Sequence, residues 1–286
     1  MVSAVHFMKS LLPYSFRRVL KRYRRRIYNN FLSSGERIYI DDICNILINN
    51  FSISKGDSII VSSSFANLNA EFSPGQLLDL LQDVVGREGN IVMPYYPPGN
   101  SEEWVRSGKV FDMQATPSSM GVLTQEFSMR DNVYKSMHPT KAVIVWGKNS
   151  KEIISSHHES STPFDETTPY GWLLKNKSKS LGLGIKNIPI FHACEDFFSD
   201  MHVNMYLEDK FICLVKDRER VYSVPTLVHD SRVINKLVAA GNYIQKLNLD
   251  SYKKVTTGYS FCYAVDNQEL LARCKEEFSK GQFRYK

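Results

Sequence analysis

Five of the seven histidines in this 286-residue chain lie between positions 138 and 202. Imidazole has the side-chain pKa nearest neutrality, so such a cluster points to proton transfer. Three patches carry it. His157 and His158 precede Glu159, Ser160, Ser161, Thr162, Pro163 and Phe164, where a helical stretch enters a proline-set turn. Phe191, His192, Ala193, Cys194 and Glu195 put His192 and Glu195 three residues apart, on one helical face. Ser136, Met137, His138, Pro139 and Thr140 lead directly into a strand pattern. Taken singly, each patch also fits an ordinary role: a His–Pro turn, a surface His–Glu pair, a packed small thiol at Cys194. No metal centre is expected, because adjacent histidines point to different sides and no H-E-x-x-H spacing occurs. G-x-S-x-G, Walker A and G-x-G-x-x-G motifs are all missing, so hydrolase, P-loop and dinucleotide-binding readings lack support.

The scaffold for these patches alternates short apolar runs with amphipathic stretches. Helices are expected over 39–50, from Pro74 to Val85 with Gly86 as the stop, and over 118–130, 151–157, 192–198, 231–247 and 267–280. Strands are expected at 57–61, 90–93, 142–145, 181–185 and 259–264, with a hairpin over 211–224. The alternation predicts an α/β fold: a central, mostly parallel sheet flanked by helices, with a late antiparallel addition. Segment 95–115 is turn-rich and irregular, and loops of that length often carry function.

Further matches stand in a fixed order around the histidines. Gly56 and Asp57 lead through Ile59, Ile60 and Val61 to Ser62, Ser63, Ser64 and Phe65. Gly86 to Pro94 is similar to a G-x-E-G-T-L-V-M-P strand, and Phe111–Asp112 to an F-D step. Thr116, Pro117, Ser118, Ser119, Met120 and Gly121 match T-P-S-x-M-G, and Ser136 to Thr140 matches S-x-H-P-T. His158 stands five residues before Pro163, as in H-x-x-x-T-P-F-G, and His192 to Glu195 matches H-x-x-E. Together, from about Gly56 to Phe197, these elements resemble the aminoglycoside N-3-acetyltransferase family, the antibiotic N-acetyltransferases.

The resemblance implies the antibiotic N-acetyltransferase fold, not the GNAT fold. It implies metal-free acyl transfer from acyl-CoA, acetyl or longer, to an amine on a sugar-like acceptor. His158 would be the general base, contributing ~10²–10⁴-fold. Glu195 would fix its tautomer, as a triad carboxylate does. Coenzyme A would be held by Ser62, Ser63, Ser64, Phe65, Thr116, Ser118, Ser119, Met120, Gly121, Ser136 and His138. Thr140, Thr162, Asp165 and His192 would meet the acceptor. Two positions depart from the family pattern: Ser62 replaces its histidine and Asp165 its glycine, and both would tune donor or acceptor choice.

Charge divides the chain. It has 36 Lys+Arg against 30 Asp+Glu, a formal +6, yet residues 1–30 hold eight basic residues and no acid. Without those eight, 28 basic face 30 acidic residues, so the remainder carries about −2. A basic amphipathic helix and linker is thus expected over 1–36 and the acyltransferase domain over 37–286. The leader's Leu12, Phe16, Val19, Leu20, Tyr23, Ile27 and Phe31 form a helical stripe. It would pack on its own domain or in an oligomer, or rest through residues 13–32 on an anionic membrane surface. Nucleic-acid binding is not expected. At 43% hydrophobic the chain can build a core, while no run approaches the ~20 apolar residues of a spanning helix. No signal-peptide core follows the early basic residues, and five scattered cysteines without a C-x-x-C pair suit a reducing compartment. A cytoplasmic location follows, with the inner membrane face as the leader's place.

An enzyme for polycationic aminoglycosides would be expected to offer an acidic cleft. Here Lys135 and Lys141 flank His138. The expected acceptor is therefore a nucleotide-linked amino-deoxysugar, dTDP-linked, of the kind that relatives of the family N-acylate for surface polysaccharide. Aminoglycoside acetylation is the alternative within the class. A catalytically silent module on anionic membrane is the alternative from another class.

Overall fold

Four successive buried residues, Ser58 to Val61, open strand β1 (Ser58–Ser63), and all five of β2 (Asn90–Pro94) are buried. Uninterrupted burial of this kind marks strands covered on both faces. Ile59 and Val61 pack into one core and Ile60 into another, so helices cover both sides of the sheet. The computed structural model describes residues 35–160, 162–198, 205–281 and 284. The amphipathic stripe and membrane-contact stretch expected within the leader lie outside the described residues.

Between and after those strands the order is as follows. Helix α1 (Ile40–Asn45) continues as a π-helical turn and precedes β1, and α2 (Pro74–Val85) joins β1 to β2. Next come α3 (Ser101–Arg106), β3 (Phe111–Asp112), α4 (Val122–Phe127), β4 (Tyr134–Lys135), β5 (Val143–Gly147) and α5 (Ser150–Ile154). Then follow α6 (Pro169–Lys175), β6 (Ser178–Leu183), α7 (Ile190–Asp196), β7 (Phe211–Asp217) and β8 (Arg220–Thr226). Helices α8 (Ser231–Ile234) and α9 (Ala240–Tyr243), strands β9 (Lys253–Thr257) and β10 (Ser260–Asp266), and α10 (Asn267–Ser279) complete the described elements.

The main sheet has the order β4-β5-β2-β1-β6-β10-β9. β1 pairs in parallel with β2 and β6; β5 is antiparallel to β2, and β10 to β6. Strands β1, β2, β4, β6 and β9 thus run one way and β5 and β10 the other. The α/β class and the late antiparallel addition are both present. The 211–224 hairpin forms as β7–β8, in a second sheet with β3. Registers Pro94↔Val143 and Ser63↔Leu183 bring the carboxyl ends of β1, β2 and β6 and the start of β5 to one edge. Ligands of open α/β sheets bind at such an edge.

Two expected helices are shorter than their patterns. The 118–130 stretch becomes helical only at Val122, because Gly121 has φ +99° and cannot continue a right-handed turn. The 231–247 stretch breaks into α8, α9 and a 3₁₀ turn. Around Gly241, an added Cβ would lie 2.4 Å from the Lys186 carbonyl, so packing sets this backbone.

Candidate active site

The end of β1 supplies Ser62, Ser63 and Ser64, all half-buried, with no hydrogen bond to their hydroxyls among the described residues. The Ser64 N–H donates to the Leu183 carbonyl (2.9 Å). Gly184 has φ +70°, and a Cβ there would approach the Ser64 oxygen to 2.8 Å. From the other side Gly121 reaches the same strand end, its Cβ position being 3.9 Å from the Ser63 oxygen. The serine run and the 116–121 loop are therefore neighbours.

Several residues expected to hold coenzyme A instead spend their hydroxyls on the scaffold. Thr116 Oγ1 accepts from the Asp112 N–H (2.8 Å), and Ser118 Oγ from the Met120 N–H (3.0 Å). Ser119 Oγ donates to the carbonyls of Tyr96 (3.2 Å) and Pro97 (3.1 Å). Phe65 packs edge-on against Phe72, with ring centroids 5.8 Å apart. Ser136 Oγ accepts from the Val143 N–H (2.8 Å) and lies 2.8 Å from His157 Nδ1.

His138 and His157 form the buried floor, their rings stacked at 4.6 Å. His138 Nδ1 accepts from the N–H groups of Thr140 (3.3 Å) and Lys141 (3.0 Å), which leaves the proton on Nε2. Burial, His157 and the Lys141 charge hold the His138 pKa well below its ordinary value. His157 Nε2 lies 3.1 Å from the Pro163 carbonyl, which can only accept, so this ring is protonated on Nε2 and Ser136 donates to Nδ1. Burial pushes the His157 pKa down to about 3. Both rings are neutral, and His157 has no nitrogen left for a substrate.

His158 differs: it is half-buried, and its enclosed Nδ1 has no partner among the described residues. The expectation that Glu195 orients it is corrected. Glu195 accepts from His192 Nδ1 at 2.9 Å through one oxygen and from the Arg284 guanidinium through the other. An i,i+3 pair on α7 meets at short range, and the buried carboxylate is balanced by a cation from far along the chain. Asp165, the departure from glycine, caps its own turn. Its carboxylate accepts from Ser160 Oγ and from the N–H and hydroxyl of Thr167, the latter two both at 2.8 Å.

The patches join through ring contacts: His157 to Tyr170 (6.2 Å), Tyr170 to Phe164 (4.8 Å), and Phe164 to His192 and His229 (both 5.4 Å). His229 also meets His192 (4.8 Å) and Tyr206 (4.6 Å). Tyr206 donates to Asp196, 2.7 Å from Oδ1. Burial raises the Asp196 pKa to about 7, opposed by Tyr206 and by the Thr162 hydroxyl beside it. Tyr96 and Tyr170 share a hydroxyl–hydroxyl bond of 2.7 Å. Among the buried side-chain atoms without a partner are His138 Nε2 and His229 Nε2, both in this constellation, and Thr140 Oγ1 and His158 Nδ1, next to it in the chain. Buried polar atoms are rarely left unpaired away from function.

Sequence reasoning missed Asp196, Tyr206, His229 and Arg284. Asp196 directly follows Glu195 and had a signal in that proximity; the others are single residues brought in by late loops. Cys194 is wholly buried in the core, as a packed small thiol. Two cavities of about 530 and 520 Å³ lie nearby, one lined by residues including Tyr95 and Lys135, the other including Tyr206 and Asp230. Neither is lined by a histidine. No helix of the described residues is long and apolar enough to cross a membrane.

An α/β sheet with imidazoles and a carboxylate gathered at the carboxyl edge of its parallel strands defines a protein equipped for acid–base chemistry on a bound substrate. The profile of the aminoglycoside 3-N-acetyltransferase family matches residues 60–279. The chain belongs to that family. It is 28% identical over 163 residues to the SPbeta prophage-derived aminoglycoside N(3')-acetyltransferase-like protein YokD of Bacillus subtilis (strain 168). That match covers 50% of this chain and only 60% of the relative's length. In fold it is similar to aminoglycoside acetyltransferase AAC(3)-Xa, at TM-score 0.72 and 15% identity over 91% of this chain and 99% of that one. It is also similar to AAC-IIIb, solved as a binary complex with CoASH, at TM-score 0.70 and 14% identity over 88% of this chain and 100% of that one.

Proposed function

We propose that the chain is an acyl-CoA-dependent N-acyltransferase whose acceptor is the amino group of a nucleotide-linked amino-deoxysugar. The observation that carries the acceptor class is the state of the acids around the histidines. Glu195 is balanced by Arg284, Asp165 is used in its own turn, and Asp196 holds its proton to about pH 7 against Tyr206. Of the three, Glu195 and Asp196 offer little charge to gather a polycation.

An ammonium must lose a proton before nitrogen can attack a thioester, and His158, half-buried and with no internal partner on Nδ1 among the described residues, is the imidazole suited to take it. As the carbon–nitrogen bond forms, negative charge develops on the carbonyl oxygen; the carbonyl re-forms as the carbon–sulfur bond breaks, and coenzyme A leaves as its thiol with the proton that the imidazole took from nitrogen. His192, held by Glu195, would orient the acceptor. The free hydroxyls of Ser62–Ser64, beside the 116–121 loop, are the groups suited to coenzyme A phosphates. When bound, the coenzyme supplies the activated acyl group as its thioester.

A polycationic aminoglycoside is the second reading, favoured by exposed Glu159, next to His158 in the chain, and by Asp165, whose charge is felt at His157. Solved fold neighbours are described in complex with apramycin and with sisomicin. Free-thiol release from acetyl-CoA tests the choice. Turnover with a dTDP-linked amino sugar is expected; none there, with rapid turnover of gentamicin or kanamycin, would reverse the assignment. The leader would bring this chemistry to the inner membrane face where surface glycans are assembled.

A further inference from the structure

Lys141 starts the turn into β5 beside the stacked histidines, its N–H donated to His138 Nδ1 at 3.0 Å. Its ammonium lies over the Tyr96 ring, 4.3 Å from the centroid, and no oxygen partner meets it among the described residues. The other enclosed cations are matched. Lys135 donates to the Met113 carbonyl (2.6 Å), Lys179 to Asp57 (3.0 Å), and Arg284 to Glu195. Burial pushes the Lys141 pKa down to about 8, and its charge is felt by both His138 and His229.

An enclosed ammonium is unfavourable unless something anionic or polar meets it. The same turn carries two more groups without partners among the described residues, the Nε2–H of His138, whose Nδ1 accepts from the N–H groups of Thr140 and Lys141, and the hydroxyl of Thr140. All three can donate hydrogen bonds, and together they fit a multi-oxygen anion better than an amine or a neutral ring. The neighbouring His229 touches His192, on the acceptor side, whereas the free serines lie at the end of β1.

We propose that Lys141, His138 Nε2 and Thr140 Oγ1 form an anion subsite that holds the diphosphate of the acceptor. The proposal rests on the sugar-nucleotide reading. Coenzyme A also carries a pyrophosphate, so the test separates the two sources. dTDP is titrated by calorimetry into enzyme saturated with coenzyme A, for wild type, Lys141→Gln and Lys141→Arg. Steady-state KM values are measured for a dTDP-amino sugar and for acetyl-CoA.

Lys141→Gln is expected to weaken dTDP about tenfold or more and to raise the acceptor KM alike. The acetyl-CoA KM and the melting temperature should hold, and Lys141→Arg should retain most of the affinity. Unchanged dTDP affinity in Lys141→Gln overturns the subsite. A rise confined to the acetyl-CoA KM assigns the anion to the donor and overturns it equally. If wild type binds dTDP through Lys141 but acylates no dTDP-amino sugar, the acceptor reading fails while the subsite stands. If it acylates them and Lys141→Gln changes nothing, the reading stands and the subsite fails.

Discussion

His157 spends both ring nitrogens within the protein, on Ser136 and Pro163, while its neighbour His158 keeps an enclosed Nδ1 unpaired. Substitution should therefore separate them. His158→Ala is expected to lower kcat by ~10²–10⁴-fold with little change in melting temperature. His157→Phe keeps a ring on His138 but strands the Ser136 hydroxyl and the Pro163 carbonyl, costing about 1–3 kcal/mol of stability in a urea melt. Full activity in His158→Ala would remove the base assignment. At this scale the sequence was partly legible. The three-residue spacing placed His192 and Glu195 on one helical face and allowed the pair that forms, whereas the assignment of Glu195 to His158 came from the resemblance alone. Which histidine a carboxylate meets is set by where the 157–165 turn and α7 pack, and no local pattern encodes that. Tyr206, His229 and Arg284 are single residues without a motif, visible only after the chain has folded.

Elements whose ends rest on local chemistry were read closely. Helix α2 begins with Ser73 accepting from the Gln76 N–H (3.2 Å), the Gln76 side chain returning to the Ser73 N–H (2.9 Å), and Pro74 in the first turn. Gly86 at φ +64° stops it. The 231–247 helix was not so legible, because contacts from Lys186 set the backbone near Gly241. Nor were the two-residue β4 or the polar, half-exposed β9, which have too little apolar pattern to register. Gly184 shows how an element end can govern the site. At φ +70°, with Ser64 O 2.8 Å from a new Cβ, Gly184→Ala should cost on the order of 1–3 kcal/mol. It should also displace the serine run, raising the acetyl-CoA KM more than the acceptor KM; equal changes in both would argue that the serines do not serve the donor.

For the whole molecule, buried groups impose opposing pH dependences. His157 is held to about 3, and His138 and His229 well below the ordinary 6.5. Below pH 6.5 the unfolded chain binds protons that the native imidazoles refuse, so this stability is complete above that value and lost as pH falls toward 3. Asp196 acts in the reverse sense. Its pKa rises from 3.8 to about 7, so the unfolded carboxylate ionises first and stability falls between those values as pH rises. Asp196→Asn should match wild type near pH 4 and exceed it at pH 8 by on the order of 1–3 kcal/mol in urea melts. The divided charge gives another test. Removing residues 1–30 takes the formal charge from +6 to about −2. That should abolish binding to anionic vesicles while leaving turnover unchanged; retained vesicle binding would exclude the leader as the membrane contact.

The Glu195–Arg284 pair joins residues 89 positions apart. During synthesis, α7 is made well before the guanidinium that neutralises its buried carboxylate. Until Arg284 emerges from the ribosome, no cation meets the Glu195 carboxylate in the core, so the anchor of His192 cannot be buried in its final place. Activity should thus appear abruptly once Arg284 is clear of the exit tunnel, rather than growing with chain length, and shorter nascent chains would remain inert on the ribosome.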